Sequence, residues 1–232
     1  TLTGLLYNST YYWRVIALND SGFSSDTSST FLFTTKLSTV ILSSPSNNSI
    51  GVSLSPTLSW FAVSGADKYR LEVNTQPDFA GTIIYDSDTI SSTFSQIQAL
   101  ENNTLHYWRI TGLNNSGNTS DTSSTFSFTT LRTALVEAIF TITDGAGGTA
   151  TLKAGLDSLA SDGLDLFFGE FELTPVPPAG VFDARFNLPD SNISSITDIR
   201  QGTFQEGFTR THEMQFQVGV VTSMVINYDF GT

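Results

Sequence analysis

Read in steps of two residues, the middle of the chain sorts its apolar side chains onto single faces. "PTLSWFAV" places Leu58 and Trp60 together, and "KYRLEV" places Tyr69, Leu71 and Val73 together. "HYWRI" puts His106, Trp108 and Ile110 on one side, with Tyr107 and Arg109 on the other. Alternation of this kind predicts strands with one buried face. The runs are separated by "SGAD", "NTQPDFAG", "LENN" and "NNSG", which carry the residues that turns use. Further strands are predicted in "EAIFTITD", "GTATLKAG", "GVFDARFNL", "HEMQFQVG" and "TSMVINYDF", the last with Met224, Ile226, Tyr228 and Phe230 on one face. "DGAGG" is a hairpin-type turn between the first two of these. "LTPVPPAG" is predicted to run as an extended connector, because its prolines cannot serve an inner strand.

One phrase occurs twice. "SDTSSTFLFTT" ends at Thr35 and "SDTSSTFSFTT" at Thr130. Setting Trp13 on Trp108 gives an offset of 95 residues (108 − 13), and Leu5, Asn8, Arg14, Asn19, Gly22, Asp26, Phe31 and Phe33 then meet identical residues. Solenoid repeats have periods of about 20 to 50 residues. A period near 95 is the length of one small β-sandwich.

Composition narrows the partners. The chain has 232 residues, 39% of them hydrophobic, enough to bury a core in one large or two to three small domains. With 18 Phe, 7 Tyr and 3 Trp against 14% charged residues, it favours pleated strands. The net charge of −12 argues against nucleic acid, whose phosphates would be repelled, and makes cations the better-matched small partners. The chain has no Cys, so neither disulfides nor thiolate metal sites are available, which leans towards a bacterial product. No apolar run of about 18 residues is present to span a membrane as a helix. "TLTGLLYNSTYYWRV" has neither the basic start nor the apolar stretch of a signal peptide, so an export signal would lie outside this sequence.

Residues 36–131 resemble a fibronectin type III domain. The resemblance rests on Trp60 after Pro56, on Tyr69, on Leu100 followed by "NNT", on "YWRI" leading to Asn114 and Gly117, and on a last strand ending in "FSFTT". Residues 1–35 match the C-terminal part of such a domain. The family's corner tyrosine is Tyr11 in the first copy, while His106 holds that place in the second and is read as a structural, backbone-bonding group. Residues 1–35 thus bring Tyr11, Trp13, Val15, Phe31 and Phe33 without an opposite sheet. A few strands with no covering layer are not expected to hold. Either a longer polypeptide or another molecule, by strand donation, is expected to complete them.

From residue 132 onward a different module, a second kind of β-sandwich, is expected over 132–232. The stretch from "TATLKAGLDSLASDGLD" through the proline cluster to "GVFDARF" is similar to a module of large secreted bacterial proteins exported by the type IX route. That resemblance covers about residues 134–232 and implies an extracellular or cell-surface location.

The strongest cluster of candidate chemistry is "GLDSLASDGLDLFFGE", with Asp157, Asp162, Asp165 and Glu170 as candidate ligands for calcium. Hard cations take carboxylate oxygens, although this spacing is not that of an EF-hand loop and acidic turns are commonly just solvated. Nucleophilic catalysis finds no support: the chain has no G-x-S-x-G elbow and no Cys, His106 is read as structural, and His212 opens a strand. "DGAGG" lacks the helix and Lys of a phosphate-binding loop. No catalytic residue and no organic cofactor is therefore assigned.

The expectation is an all-β chain: the C-terminal part of one fibronectin type III sandwich (1–35), one complete such sandwich (36–131) and a different C-terminal β-sandwich (132–232). Its expected role is non-catalytic and extracellular, as a cell-surface stalk, adhesin or fibre component of a bacterium. Self-association into a fibre, or neighbouring domains of the same long chain, are the expected partners. The alternative is a spacer or accessory region of a secreted enzyme whose catalytic domain lies upstream of residue 1.

Overall fold

The structure is a computed structural model that describes residues 2–189, 192–203, 209–219 and 223–230, the last without the side chain of residue 230. The chain is all-β. It divides into two compact units, one holding Thr1–Ser49, Ser55–Ala99 and Leu105–Phe128, the other Ile50–Leu54, Leu100–Thr104 and Thr129–Thr232. The division passes through the 36–131 sandwich at residues 49/50, 54/55, 99/100, 104/105 and 128/129; in the second unit, Leu131 N–H donates to Val52 O and Asn102 Nδ2 to Thr133 Oγ1.

The first copy of the repeat forms two strands, β1 (Thr10–Trp13) and β2 (Phe31–Thr34), paired antiparallel with Trp13 opposite Phe31 and Tyr11 opposite Phe33. Eight strands follow in 36–131: β3 (Leu42–Ser44), β4 (Ser49–Val52), β5 (Thr57–Trp60), β6 (Lys68–Asn74), β7 (Ile83–Ile90), β8 (Phe94–Gln96), β9 (Leu105–Leu113) and β10 (Phe126–Thr130). They make a three-stranded sheet, β3-β5-β8, and a five-stranded sheet, β4-β10-β9-β6-β7. β3 and β4 act as one edge strand that changes sheets between Pro45 and Asn48, a usual way to turn a sandwich corner. Asn48 takes the left-handed conformation there, with φ +63°.

The expected alternation holds. Leu58 and Trp60 of β5, Tyr69, Leu71 and Val73 of β6, and His106, Trp108 and Ile110 of β9 are all buried. Trp60 meets Tyr69 edge-on with ring centroids 5.4 Å apart, and Trp108 meets Phe126 at 6.0 Å and 86°. Such crossed arrangements suit the ring quadrupoles. Tyr69 also accepts the N–H of Val63 on its hydroxyl at 3.0 Å, satisfying a buried donor.

The repeated phrase has a physical task. β9 extends beyond β10, and along residues 119–125 the neighbouring chain is irregular. Ser123 Oγ accepts the buried N–H of Ile110 at 3.0 Å, and Ser120 Oγ accepts that of Gly112 at 2.8 Å. Each hydroxyl then donates to the next carbonyl, of Ser124 and Asp121 respectively. The first copy repeats this bond for bond, with Ser28 accepting from Val15 N–H and Ser25 from Ala17 N–H, and each donating to the carbonyl that follows.

The C-terminal strands are β11 (Val136–Asp144), β12 (Thr149–Asp157), β13 (Asp183–Asn187), β14 (Ser194–Ser195), β15 (Thr197–Gln201), β16 (Glu213–Gln217) and β17 (Met224–Phe230). They form sheets β15-β12-β11-β17 and β14-β13-β16. Ile142, Leu152, Ala154, Ala184 and Phe186 fill the core, with Met214, Phe216 and Met224 packed against them. Asp144 closes the predicted hairpin, its Oδ1 accepting the N–H groups of Ala146 and Gly148. Residues 173–180 contain no strand, as their prolines require. On β17 the face expected inside is mixed: Met224 reaches the core, whereas Ile226 and Tyr228 are exposed. The side chain of Phe230 lies outside the described residues.

Replacing Ser123 by Ala leaves the buried Ile110 N–H without its acceptor and should destabilise the chain by about 1–3 kcal/mol. Ser28→Ala removes the same bond where Val15 N–H is open to water and should cost no more than about 0.5 kcal/mol. Urea unfolding of the two variants checks the contrast.

Candidate functional site

The acidic loop is built from the end of β12. Asp157, fully buried, accepts the N–H of Leu159 on Oδ1 at 2.9 Å and Arg132 Nε on Oδ2 at 3.2 Å. Asp165 Oδ2 accepts both the N–H and the hydroxyl of Ser161, which folds the loop onto the short 3-10 turn Leu166–Phe168. Glu170, also fully buried, accepts Asp165 N–H on Oε2 at 2.6 Å and Ile199 N–H on Oε1. Asp162 Oδ2 lies 3.7 Å from Arg210, and its Oδ1 is buried with no hydrogen-bond partner among the described residues.

The four expected calcium ligands therefore do not converge. Three of them hold separate parts of one loop by accepting backbone N–H groups, and the fourth faces an arginine. Among the described residues no group of three or more His, Asp or Glu side chains is arranged to hold a metal ion. Burial pushes the Glu170 carboxyl up to about 7, against the two backbone donors, with Asp165 and Asp198 adding to the rise.

Two buried ion pairs lie on strands nearby. Arg200 meets Asp198 through Nε and Nη2, and His212 Nδ1 lies 2.8 Å from Asp198 Oδ2. Burial opposes the charge on Asp198, but the His212 and Arg200 bonds outweigh it and hold the carboxyl below its usual range. Arg185 grips Asp183 through Nε and Nη2 and donates from Nη1 to Thr174 O and Ser194 Oγ. Sequence reading missed both pairs, although a signal exists: "DAR" and "DIR" each put acid and base two residues apart, on one face of a strand.

An open groove of about 820 Å³ lies over this polar face, lined by Thr174, Arg185, Asn187, Arg200, Glu213 and Gln215 among others. Its guanidinium groups are already neutralised by Asp183 and Asp198. Donors and acceptors are both present, as hydrogen bonding to a polar molecule requires. Glu170, whose pKa lies in the range useful for proton transfer, does not line the groove.

The third feature is the aromatic face of β1 and β2 that carries Tyr11, Trp13, Phe31 and Phe33. Tyr11 stacks on Phe33 with centroids 5.6 Å apart and Trp13 on Phe31 at 5.0 Å, and Trp13 and Phe31 remain exposed. Tyr11 keeps the corner role, its hydroxyl accepting Leu6 N–H at 2.8 Å. His106, the corresponding residue of the second copy, is buried with its ring 5.4 Å from Phe128.

No protein-family model matches the chain. No curated protein matches it either. Among solved structures it is similar to an Fn3-like protein from Clostridium thermocellum, at 23% identity over 42% of this chain and 90% of that one, TM-score 0.29. An α-L-rhamnosidase from Dictyoglumus thermophilum matches at 17% identity over 46% of this chain and 15% of its own, TM-score 0.33. A β-1,2-glucanase from Parabacteroides distasonis matches at 14% identity over 50% and 17%, TM-score 0.31. The class of the chain rests on its own sheets: it is all-β, with residues 36–131 folded as a sandwich of a three-stranded and a five-stranded sheet.

Glu170 makes a pH prediction with a definite sign. Its folded-state pKa of about 7 lies above the ordinary 4.5, so its stabilising effect is complete below about pH 4.5 and is lost as pH rises through 7. Glu170→Gln removes that slope. Thermal unfolding at intervals from pH 4.5 to 8 should show the wild-type advantage over the variant shrinking by a few kcal/mol across the window. An unchanged difference would mean that Glu170 does not titrate there.

Proposed function

We propose that this chain is a non-catalytic structural segment of an extracellular bacterial protein, serving in a cell-surface stalk, adhesin or fibre. The observation that supports it is the use made of the repeated phrase. Ser25, Ser28, Ser120 and Ser123, which as a motif could have bound a ligand, instead accept the chain's own N–H groups, in two copies. The residues that look most like a signature are devoted to holding one kind of sandwich in tandem.

The acidic loop fits the same reading, since its carboxylates satisfy backbone donors rather than face an open cleft. Export through the type IX route belongs to the proposal and rests on the resemblance of residues 134–232. No organic cofactor and no nucleic-acid partner enters it.

Pulling the chain by its ends in a single-molecule force experiment tests the reading. Residues 36–131 should rupture in one step and release roughly 300 Å of contour length, from about 3.3–3.6 Å per residue. A chain that unravels without a resolved rupture would be no load-bearing element, and the proposal would fail.

A further inference from the structure

A sheet that covers a core with one face turns the other to water, and here a second segment roofs part of that outer face. On β13, Ala184 and Phe186 point into the core, so Asp183, Arg185 and Asn187 point away from it. Their register partners on β16 are Gln217, Gln215 and Glu213, which makes this face polar from end to end. The proline segment crosses one end of it. Arg185 Nη1 donates to Thr174 O, and Gln217 Nε2 donates to the carbonyls of Pro177, Pro178 and Val181. The other end, with Asn187, Glu213 and Gln215, stays open and forms the floor of the groove of about 820 Å³.

Arg200, only 8% exposed, spends Nε and Nη2 on Asp198, while its Nη1 makes no hydrogen bond among the described residues and opens onto the groove. A donor so nearly buried is costly to leave unpaired, and a bound acceptor would relieve that cost. Glu213 takes Asn187 Nδ2 on Oε1 and keeps Oε2 unused, and the Gln215 amide has no partner among the described residues. Charge then narrows the ligand. Arg185 and Arg200 are already balanced by Asp183 and Asp198, so Glu172 and Glu213 leave the lining negative and an anion would be repelled. A bare cation finds no group of three acidic or histidine side chains among the described residues to hold it. A peptide would be read by a strand edge and by pockets for alternate side chains, whereas this floor is a sheet face of polar groups. Hydroxyl groups meet every requirement, since each can accept from Arg200 Nη1 or donate to Glu213 and carries no charge.

We infer that the groove over β13 and β16 binds a neutral carbohydrate. Arg200 supplies a fixed donor, Glu213 a fixed acceptor, and the Gln215 amide one of each. Pro175, Val176 and Leu188 give the walls apolar surface against which the C–H face of a sugar ring can lie. One wall is in place before any ligand arrives: Pro175, Pro177 and Pro178 restrict its backbone, and the bonds from Arg185 and Gln217 hold it to the sheet. A wall ordered in advance costs the ligand less entropy on binding. The volume also falls within the range of about 300–1,000 Å³ usual for small-molecule sites. The site belongs to the C-terminal module alone and does not depend on the structural role proposed above.

The test applies the full 232-residue chain, fluorescently labelled, to an array of immobilised neutral and acidic glycans. Retention should be strongest on a neutral glycan. With that glycan titrated in solution, Gln215→Ala and Glu213→Ala should each weaken binding about tenfold, and their unfolding midpoints should not move because both side chains are exposed. Arg200→Lys keeps a positive charge beside Asp198 but loses Nη1, and it should weaken binding at least as much. If that buried substitution lowers the midpoint, the two exposed variants decide. Trp13→Ser, on the aromatic face of β1 and β2, should leave the affinity unchanged. Failure to retain any neutral glycan overturns the inference, and so does a preference for acidic ones. Groove variants that bind like the wild type overturn it too, and a loss with Trp13→Ser in their place would put the sugar on the exposed aromatics.

Discussion

Every buried backbone N–H must find an acceptor, and in this chain that demand is met at the point where β9 outruns its neighbour. A regular strand would have supplied carbonyls. Residues 119–125 are irregular, and the hydroxyls of Ser120 and Ser123 take their place, each handing its own proton to the next carbonyl. The arrangement keeps the inner face of β9, with Trp108 and Ile110, free for packing. Without it the densest part of the core would sit on unpaired amides.

The same economy governs the C-terminal module. Asp157, Glu170 and Asp198 are buried, and burial of a charge is tolerated only with partners. Asp157 and Glu170 find theirs in backbone N–H groups, and Asp198 in Arg200 and His212. The loop between β12 and β13 is therefore tied down from inside by acids, with Ala134, Ala160, Phe168 and Ile199 forming a small apolar cluster beside them. Two of the acids in what reads along the chain as an acidic surface loop, Asp157 and Glu170, are interior.

This explains what the sequence could and could not reveal. Strands β5, β6 and β9 were legible because apolar side chains alternate with polar ones and the structure buries the apolar set. β15 was not, because "TDIRQ" buries Asp198 and Arg200 as a pair, and a pair of charges looks like a solvated surface until its neighbours are known. The division of the first strand into β3 and β4 was equally hidden, since a change of sheet depends on the tertiary corner. The acidic cluster was found, but where its oxygens point was not legible for a similar reason: spacing along the chain cannot distinguish oxygens that face a cation from oxygens that face amides. The repeat was the most informative signal, since identical residues at one offset rebuilt identical hydrogen bonds.

One small difference between the copies lies at the sandwich corner. Ser127 on β10 donates its hydroxyl to Asn48 Oδ1, and its N–H goes to Asn47 Oδ1. At the corresponding place on β2 stands Leu32, which has no hydroxyl to offer. The corner bonds of Asn47 and Asn48 thus match the serine of β10 and would find no hydroxyl at the leucine of β2.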